Sequence, residues 1–473
     1  MDGISDDVSL LLDAALPLDR LAALRQFIPA RTVREVLHET RRENPRACIL
    51  THEVTAWILL AMGLLTDLPI QAVYRHARRW TLGEPVPTRS ASCQARRRLG
   101  VAPLRRLFER VVHPLTDDRT PGATCGGLRS MAMDGTKLDV PDTPANAAAF
   151  GRPSGGRGDG AFPQVHEVSP VELGSRAELA FLVKPCRRNE AVIARGLRRH
   201  IRPGTPVLAD REFYGFALWQ AFLERGAQLL WRVRSNIILT PFEVLSDGSY
   251  LARIYPEPRD RRRDRGGVTV RVIQYTVDDP QRAGHQQTHV LMTSLLDAEA
   301  HPAIDLIPCY HRRWEQEIVF DERKTHHDPV RPGKPAQLRS GTPAGVVQEL
   351  HAPSLGHCVT QALRVTAARA QGIDPDRISF IGTLRVLRCR LPECDSRNPA
   401  LFAEWYERLI AEIGTEQIEP RRNRINPRVV KHQASNYAKK HPRHRPVPPL
   451  RKSFIESVVM TILSIPCRDT SWP

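Results

Sequence analysis

The sequence predicts an α/β fold, in which a sheet-bearing core with a strand-rich insertion is flanked by a helical N-terminal domain and a helical, basic C-terminal region. Three observations carry this expectation. Apolar residues recur at helical spacing up to about residue 125, short apolar runs bounded by Gly and Pro follow from Met131, and helical spacing returns after Lys324 before a basic end. The boundaries read as 1–125, 126–345 with the insertion at about 240–296, 346–415, and a basic tail over 416–473.

In the first domain the three-and-four spacing covers Val8 to Leu16, Leu21 to Ile28, Val33 to Leu37 and Val54 to Leu65. The apolar run Thr55 to Leu65 falls well short of the ~20 residues of a spanning helix and predicts a buried one. Leu68 to Trp80 and Ser90 to Leu99 read as two helices around a Gly83–Pro87 turn. The second carries Arg96, Arg97 and Arg98, which suit either a helix-turn-helix contact with DNA or a solvated basic face.

The core begins with a short strand, Met131 to Thr136, ending on Asp134. The run Gly155-Gly156-Arg157-Gly158 has no Gly-Lys-Ser/Thr after it and reads as a flexible loop rather than a nucleotide site. Strands Val165–Leu173 and Glu178–Val183 join at Gly174. A helix Glu190–His200, a strand Pro206–Ala209 leading to Asp210, a helix Gly215–Glu224 and a strand Gln228–Val233 follow. That order is the order of a ribonuclease-H-like sheet, in which carboxylates at neighbouring strand ends converge on one rim. The insertion holds strands Val268–Val277 and His289–Leu295 and the basic run Arg259–Arg265. Beyond the core, helices span Thr342–Ala370, broken at Pro353, and Ile378–Leu387.

Of 473 residues, 69 are Lys or Arg and 52 Asp or Glu, a formal charge of +17 that favours a polyanionic partner, nucleic acid ahead of an acidic membrane surface. The run from Arg421 to Lys452 holds eleven Lys and Arg and no acid, a pattern suited to phosphate contact or to a solvated tail. The acidic start Met1–Asp7 lacks a secretion-signal pattern, so a cytoplasmic protein is expected. Nine scattered cysteines without zinc spacing predict reduced, mostly buried thiols.

The chemistry concentrates in Tyr310, Arg313, Glu317 and Lys324. At about 100° per residue these fall within roughly 60° of one another on one helical face, and the helix rises about 21 Å across them. Glu317 can then hold a metal at a scissile phosphate while its neighbours contact flanking ones. Phosphodiester cleavage charges both the attacking and the leaving oxygen, and two Mg2+ ions about 4 Å apart, with Mn2+ as substitute, suit three carboxylates. Asp134, Asp210 and Glu317 are the predicted three. Asp321 is the rival third, Asp139 and Asp142 are weaker rivals, and each predicted carboxylate has a plainer reading. Asp134 precedes Gly135 as in a turn, Asp210 suits an N-cap, and Glu317 suits an arginine pair.

On these residues the chain resembles the insertion element 4 family of transposases, within the DDE group. Met133-Asp134-Gly135-Thr136 with Pro144, Asn146 and Phe150-Gly151 is similar to the first block. Leu208 to Tyr214 is similar to the second, and Tyr310, Arg313, Glu317 and Lys324 fit the Y-R-E-K pattern at every spacing. Gln94 to Gly100, Leu338-Arg339-Ser340, Gln348-Glu349-Leu350 and Ile378-Ser379-Phe380 extend the resemblance over most of residues 20–440. It implies a Mg2+-dependent DNA transposase working by cut and paste, as a homodimer on terminal inverted repeats and target DNA, through nicking, a hairpin and strand transfer. Asp134, Asp210 and Glu317 would hold the metal, and Tyr310, Arg313 and Lys324 would contact phosphates. Trp314 would stack on a flipped base or pack in the core. Pro353, the polar His351–His357 stretch and the charged Arg323 depart from the pattern. These departures and the basic tail motivate one rival reading, a non-catalytic DNA-binding regulator or inactive remnant; a ribonuclease-H-like nuclease without strand transfer is another.

Overall fold

A computed structural model describes residues 18–43, 48–78, 83, 85–155, 158–234, 236–280, 285–326, 338–394, 398–420 and 451–461. The predicted helix at Val8–Leu16 and the basic run 421–450 lie outside them. The chain forms two units. One comprises 1–123, 135–189 and 316–419, the other 124–134, 190–315 and 420–473.

The first unit is mostly helical. Its helices are α1 (Ala30–Glu39), α2 (His52–Leu64), α3 (Ile70–Ala77), α4 (Arg89–Leu99), α5 (Ala102–Val111) and α6 (Pro144–Phe150), with α12 (Pro343–Gln371), α13 (Phe380–Arg390) and α14 (Pro399–Thr415) from the C-terminal half. Thr51, Thr88 and Thr342 cap α2, α4 and α12 by accepting the backbone N–H three residues on. Leu21 to Ile28, read as α-helical, instead contains a 3₁₀ helix, Asp19–Gln26. The predicted apolar run is α2, buried along nearly its whole length against α12. Their backbones nearly touch. A Cβ on Gly63 would lie 1.9 Å from the Ala352 carbonyl oxygen, and one on Gly356 2.5 Å from that of Gly63. Only glycine permits this crossing.

The predicted break at Pro353 does not occur, for the 29-residue α12 runs through it. In place of an interruption, the polar stretch supplies buried groups to an ion network. Arg323 pairs with Glu167 and with Glu178, the latter at 2.7 Å. Arg176 pairs with Asp376 and, at 3.2 Å, with Glu322, which also receives hydrogen bonds from His357 and Gln361 at 2.9 and 2.8 Å. All of these side chains are buried.

Within this unit lie the antiparallel strands β4 (Gln164–Glu172) and β5 (Leu182–Pro185). A two-residue hairpin, β2 (Ser154–Gly155) with β3 (Gly158–Asp159), flanks part of the Gly-rich run that was read as a flexible loop.

Strand β1 (Met131–Asp139) crosses from the second unit into the first between Asp134 and Gly135, so it does not end on Asp134 as predicted. In the second unit β1 pairs in parallel with β6 (Pro206–Ala209), and β6 in parallel with β7 (Gln228–Arg232). Helices α7 (Glu190–Arg195) and α8 (Phe216–Leu223) precede and follow β6. The insertion prolongs this sheet: β7 is followed in space by β11 (His289–Thr293), β10 (Val268–Val277), β9 (Tyr250–Ile254) and β8 (Glu243–Val244), all antiparallel, while the short helix α9 (Pro258–Arg262) holds part of the Arg259–Arg265 run. The end of the predicted tail is also built in, for β12 (Val458–Met460) adds antiparallel to β10.

Among the described residues no helix is long and apolar enough to cross a membrane. The described cysteines are free, and Cys48, Cys93 and Cys389 are exposed, so burial of the thiols is less general than predicted.

Candidate active site

In parallel strands covered on both faces the backbone carries apolar residues until the strand emerges, and polar side chains gather at the carboxyl rim. β1 and β6 follow this rule: Met131, Ala132 and Met133 are buried, as are Val207, Leu208 and Ala209. Met133 pairs with Ala209, so the next residues, Asp134 and Asp210, stand side by side on strands about 4.8 Å apart, both half-buried. Asp210 is not an N-cap. Its Oδ1 accepts the Glu212 N–H at 2.8 Å, which closes a turn, and α8 starts only after Gly215.

The predicted single helix from Tyr310 to Lys324 is four pieces. α10 (Ala303–His311) contains Pro308 and passes into a 3₁₀ turn, Arg312–Trp314; α11 (Glu315–Asp321) follows and passes into a π turn, Glu322–His326. The unit boundary falls inside α11, between Glu315 and Gln316. Because 3₁₀ and π turns advance about 120° and about 80° per residue, the one-face reading does not carry through the segment. Tight and wide turns of this kind recur at functional sites.

In the second unit the Arg313 guanidinium donates to Asp134 Oδ2 at 3.0 Å, with both side chains largely buried. Arg313 was predicted at a phosphate; here it faces the carboxylate. Tyr310 is 6% exposed. Burial raises its phenol above the ordinary range against the lowering effects of Arg313 and Arg232, and the Asp210 charge adds to the rise. Arg312 donates to the Thr124 carbonyl at 2.9 Å and ties α10 to the segment entering β1. Trp314, 55% exposed, is not a core residue.

In the first unit Glu317 is half-buried on α11 and Asp321 is exposed. Lys324 donates to Thr136 Oγ1 and, at 3.4 Å, to the Lys137 carbonyl, and lies 5.8 Å from the Phe320 ring centre. The minor rivals are engaged elsewhere: Asp139 accepts from Gln164 at 2.8 Å, and Asp142 pairs with Arg152.

Carboxylate oxygens are the donors a hard divalent cation prefers, and an adjacent pair at strand ends suits one by its chemistry. Among the described residues, however, no three His, Cys, Asp or Glu side chains are gathered closely enough to hold a metal ion.

Two motif residues prove structural. Asn146 is fully buried, donating to the carbonyls of Pro141 and Ser340 at 3.0 and 3.1 Å. Arg96 does not belong to an exposed arginine cluster. Its guanidinium lies 3.4 Å from Gln348 Oε1, 3.3 Å from Ser340 Oγ and 3.7 Å from Glu349, while Arg97 and Arg98 are exposed. The separated motifs around residues 96, 146, 340 and 348 thus meet in one hydrogen-bonded group.

A family model described as Insertion element 4 transposase N-terminal matches residues 18–109, and one described as Transposase DDE domain matches residues 126–332. The chain is 27% identical over 424 residues to "Transposase InsG for insertion sequence element IS4" of Escherichia coli (strain K12), covering 88% of this chain and 93% of that one. It is 25% identical over 213 residues to "Putative transposase InsZ" of the same organism, covering 44% of this chain and 69% of the relative. Among solved structures it is similar to the piggyBac transposase in a synaptic complex with hairpin DNA, with 12% identity, a TM-score of 0.41 and coverage of 84% of this chain and 85% of that one. The matched N-terminal and DDE domains define the class, a DNA transposase. The chain belongs to the insertion element 4 family of DDE transposases.

Proposed function

We propose that this transposase performs cut-and-paste transposition of an insertion sequence, with Mg2+ as cofactor and Asp134, Asp210 and Glu317 as the carboxylates that hold it. The observation that carries the reading is the register of β1 on β6, which aligns Asp134 with Asp210 at the rim of parallel strands. Two Mg2+ ions, or Mn2+ in their place, supply charge stabilisation at the attacking and leaving oxygens when bound. Tyr310, kept protonated by burial, donates a hydrogen bond to a phosphate oxygen throughout the working pH range. Lys324 adds a charge-assisted bond to a phosphate near the cut, Arg313 would join it once a cation takes its place on Asp134, and the exposed face of Trp314 stacks on a base displaced there.

The reaction proceeds by nicking at terminal inverted repeats, a hairpin intermediate and strand transfer, in a homodimer on paired ends at the bacterial nucleoid. The departures that motivated an inactive remnant lose their force, since α12 runs through Pro353 and Arg323 is paired.

Glu317→Gln tests the assignment on duplex DNA carrying the flanks of the gene. Cleavage in Mg2+ disappears while DNA binding persists. Cutting at the wild-type rate would remove Glu317 from the site, and cut 3′ ends that never join target DNA would reduce the reading to a nuclease.

A further inference from the structure

The row that starts with Asp134 and Asp210 has a third member. Ala209 pairs in parallel with Trp231, so the residue after Trp231, Arg232, stands beside Asp210 as Asp210 stands beside Asp134. On three adjacent parallel strands Asp134, Asp210 and Arg232 therefore stand at one level, each half-buried after a buried residue. Register fixes the direction too. Trp231 is fully buried, with its indole N–H on the Val207 carbonyl at 3.1 Å, and Val233 is also buried, so alternation turns Arg232 away from both.

The Arg232 charge acts on the phenols of Tyr310 and Tyr275, and at Tyr310 it acts with Arg313 and against Asp210. Neighbouring arginines are engaged: Arg313 pairs with Asp134, Arg234 with Glu212, and Arg271 with Asp247. Among the described residues the Arg232 side chain makes no hydrogen bond or ion pair. A planar fork at the end of a carboxylate row matches two oxygens of a phosphodiester.

We infer that Arg232 is a further substrate-binding residue, holding the non-bridging oxygens of the phosphate that lies over Asp134 and Asp210. The inference rests on the proposed function, since it takes that pair to be where the phosphate is cut.

The test compares full-length wild type, Arg232→Met and Arg232→Lys on end-bearing duplex DNA. Arg232→Met is expected to slow single-turnover nicking by about 10²-fold, the scale for removing one charge-stabilising donor. It should also lower the log–log salt slope of DNA binding by about one while leaving the urea midpoint unchanged. Arg232→Lys should restore the slope and part of the rate. Nicking and slope at wild-type values in Arg232→Met would overturn the inference, as would a loss that tracks a lowered urea midpoint. If wild type itself does not cut, the proposed function falls, and the salt slope alone still decides whether Arg232 meets a phosphate.

Discussion

The two units handle charge in opposite ways. At the rim of β1, β6 and β7, Asp134, Asp210 and Arg232 are half-buried, with Arg313 the ion-pair partner of Asp134. In the helical unit Arg323, Glu167, Glu178, Arg176, Glu322 and Asp376 are buried, and each has a partner of opposite sign. Buried charges are tolerated only when paired and hydrogen-bonded, so the second group is bound to the fold. Side chains at the strand rim are partly exposed and lie within reach of a ligand. The same residue types thus stand half-exposed at a strand rim in one unit and are locked in buried pairs in the other.

The largest effects should separate the two sets. Asp134→Asn is expected to reduce cleavage by at least about 10³-fold, because it removes a carboxylate that works only with its neighbours. Losing the ion pair to Arg313 should lower its stability by about 1–3 kcal/mol as well, and cleavage at the wild-type rate would remove Asp134 from the site. Arg323→Met should act chiefly on stability. Leaving Glu167 and Glu178 buried without their cation costs about 3–5 kcal/mol in urea unfolding. A near-neutral result would mean that the network is not the anchor described here.

A smaller effect concerns pH. Burial raises the Glu178 carboxyl from 4.5 to about 7, against the opposing Arg323 charge. Between about pH 4.5 and 7 the folded protein keeps a proton that the unfolded chain has released, so stability falls as pH rises through that window. Burial works against Glu322 as well, but the His357 hydrogen bond and the Arg176 charge hold it down at about 2, so its contribution is lost as pH falls from about 4.5 toward 2. Urea midpoints measured across pH should show both limbs, and Glu178→Gln should flatten only the upper one. Gly63→Ala should cost about 1–3 kcal/mol, because its Cβ meets the Ala352 carbonyl. A neutral Gly63→Ala would mean that α2 and α12 separate at little cost.

The strand half of the site was legible because short apolar runs ending on a carboxylate have few alternatives in a chain of alternating strands and helices. β6 and Asp210 fall where the residues place them. The Tyr310–Lys324 segment was less legible. Spacing specifies a face only if the helix keeps one pitch, and here Pro308 interrupts the hydrogen-bond ladder while buried pairs at Glu322 and Arg323 accompany a π turn. Arg96 was misread for a related reason: its partners lie about 250 residues downstream, and an arginine triplet does not reveal which member turns inward. Arg232 left no local signal, for only the register of β6 on β7 sets it beside Asp210.

The most direct measurement is single-turnover nicking of duplex DNA carrying the ends that flank the gene, by wild type and by Asp210→Asn at equal DNA occupancy in Mg2+. The aligned aspartates predict cutting by wild type and none by Asp210→Asn. Equal rates from the two proteins would contradict an active site at the β1–β6 rim.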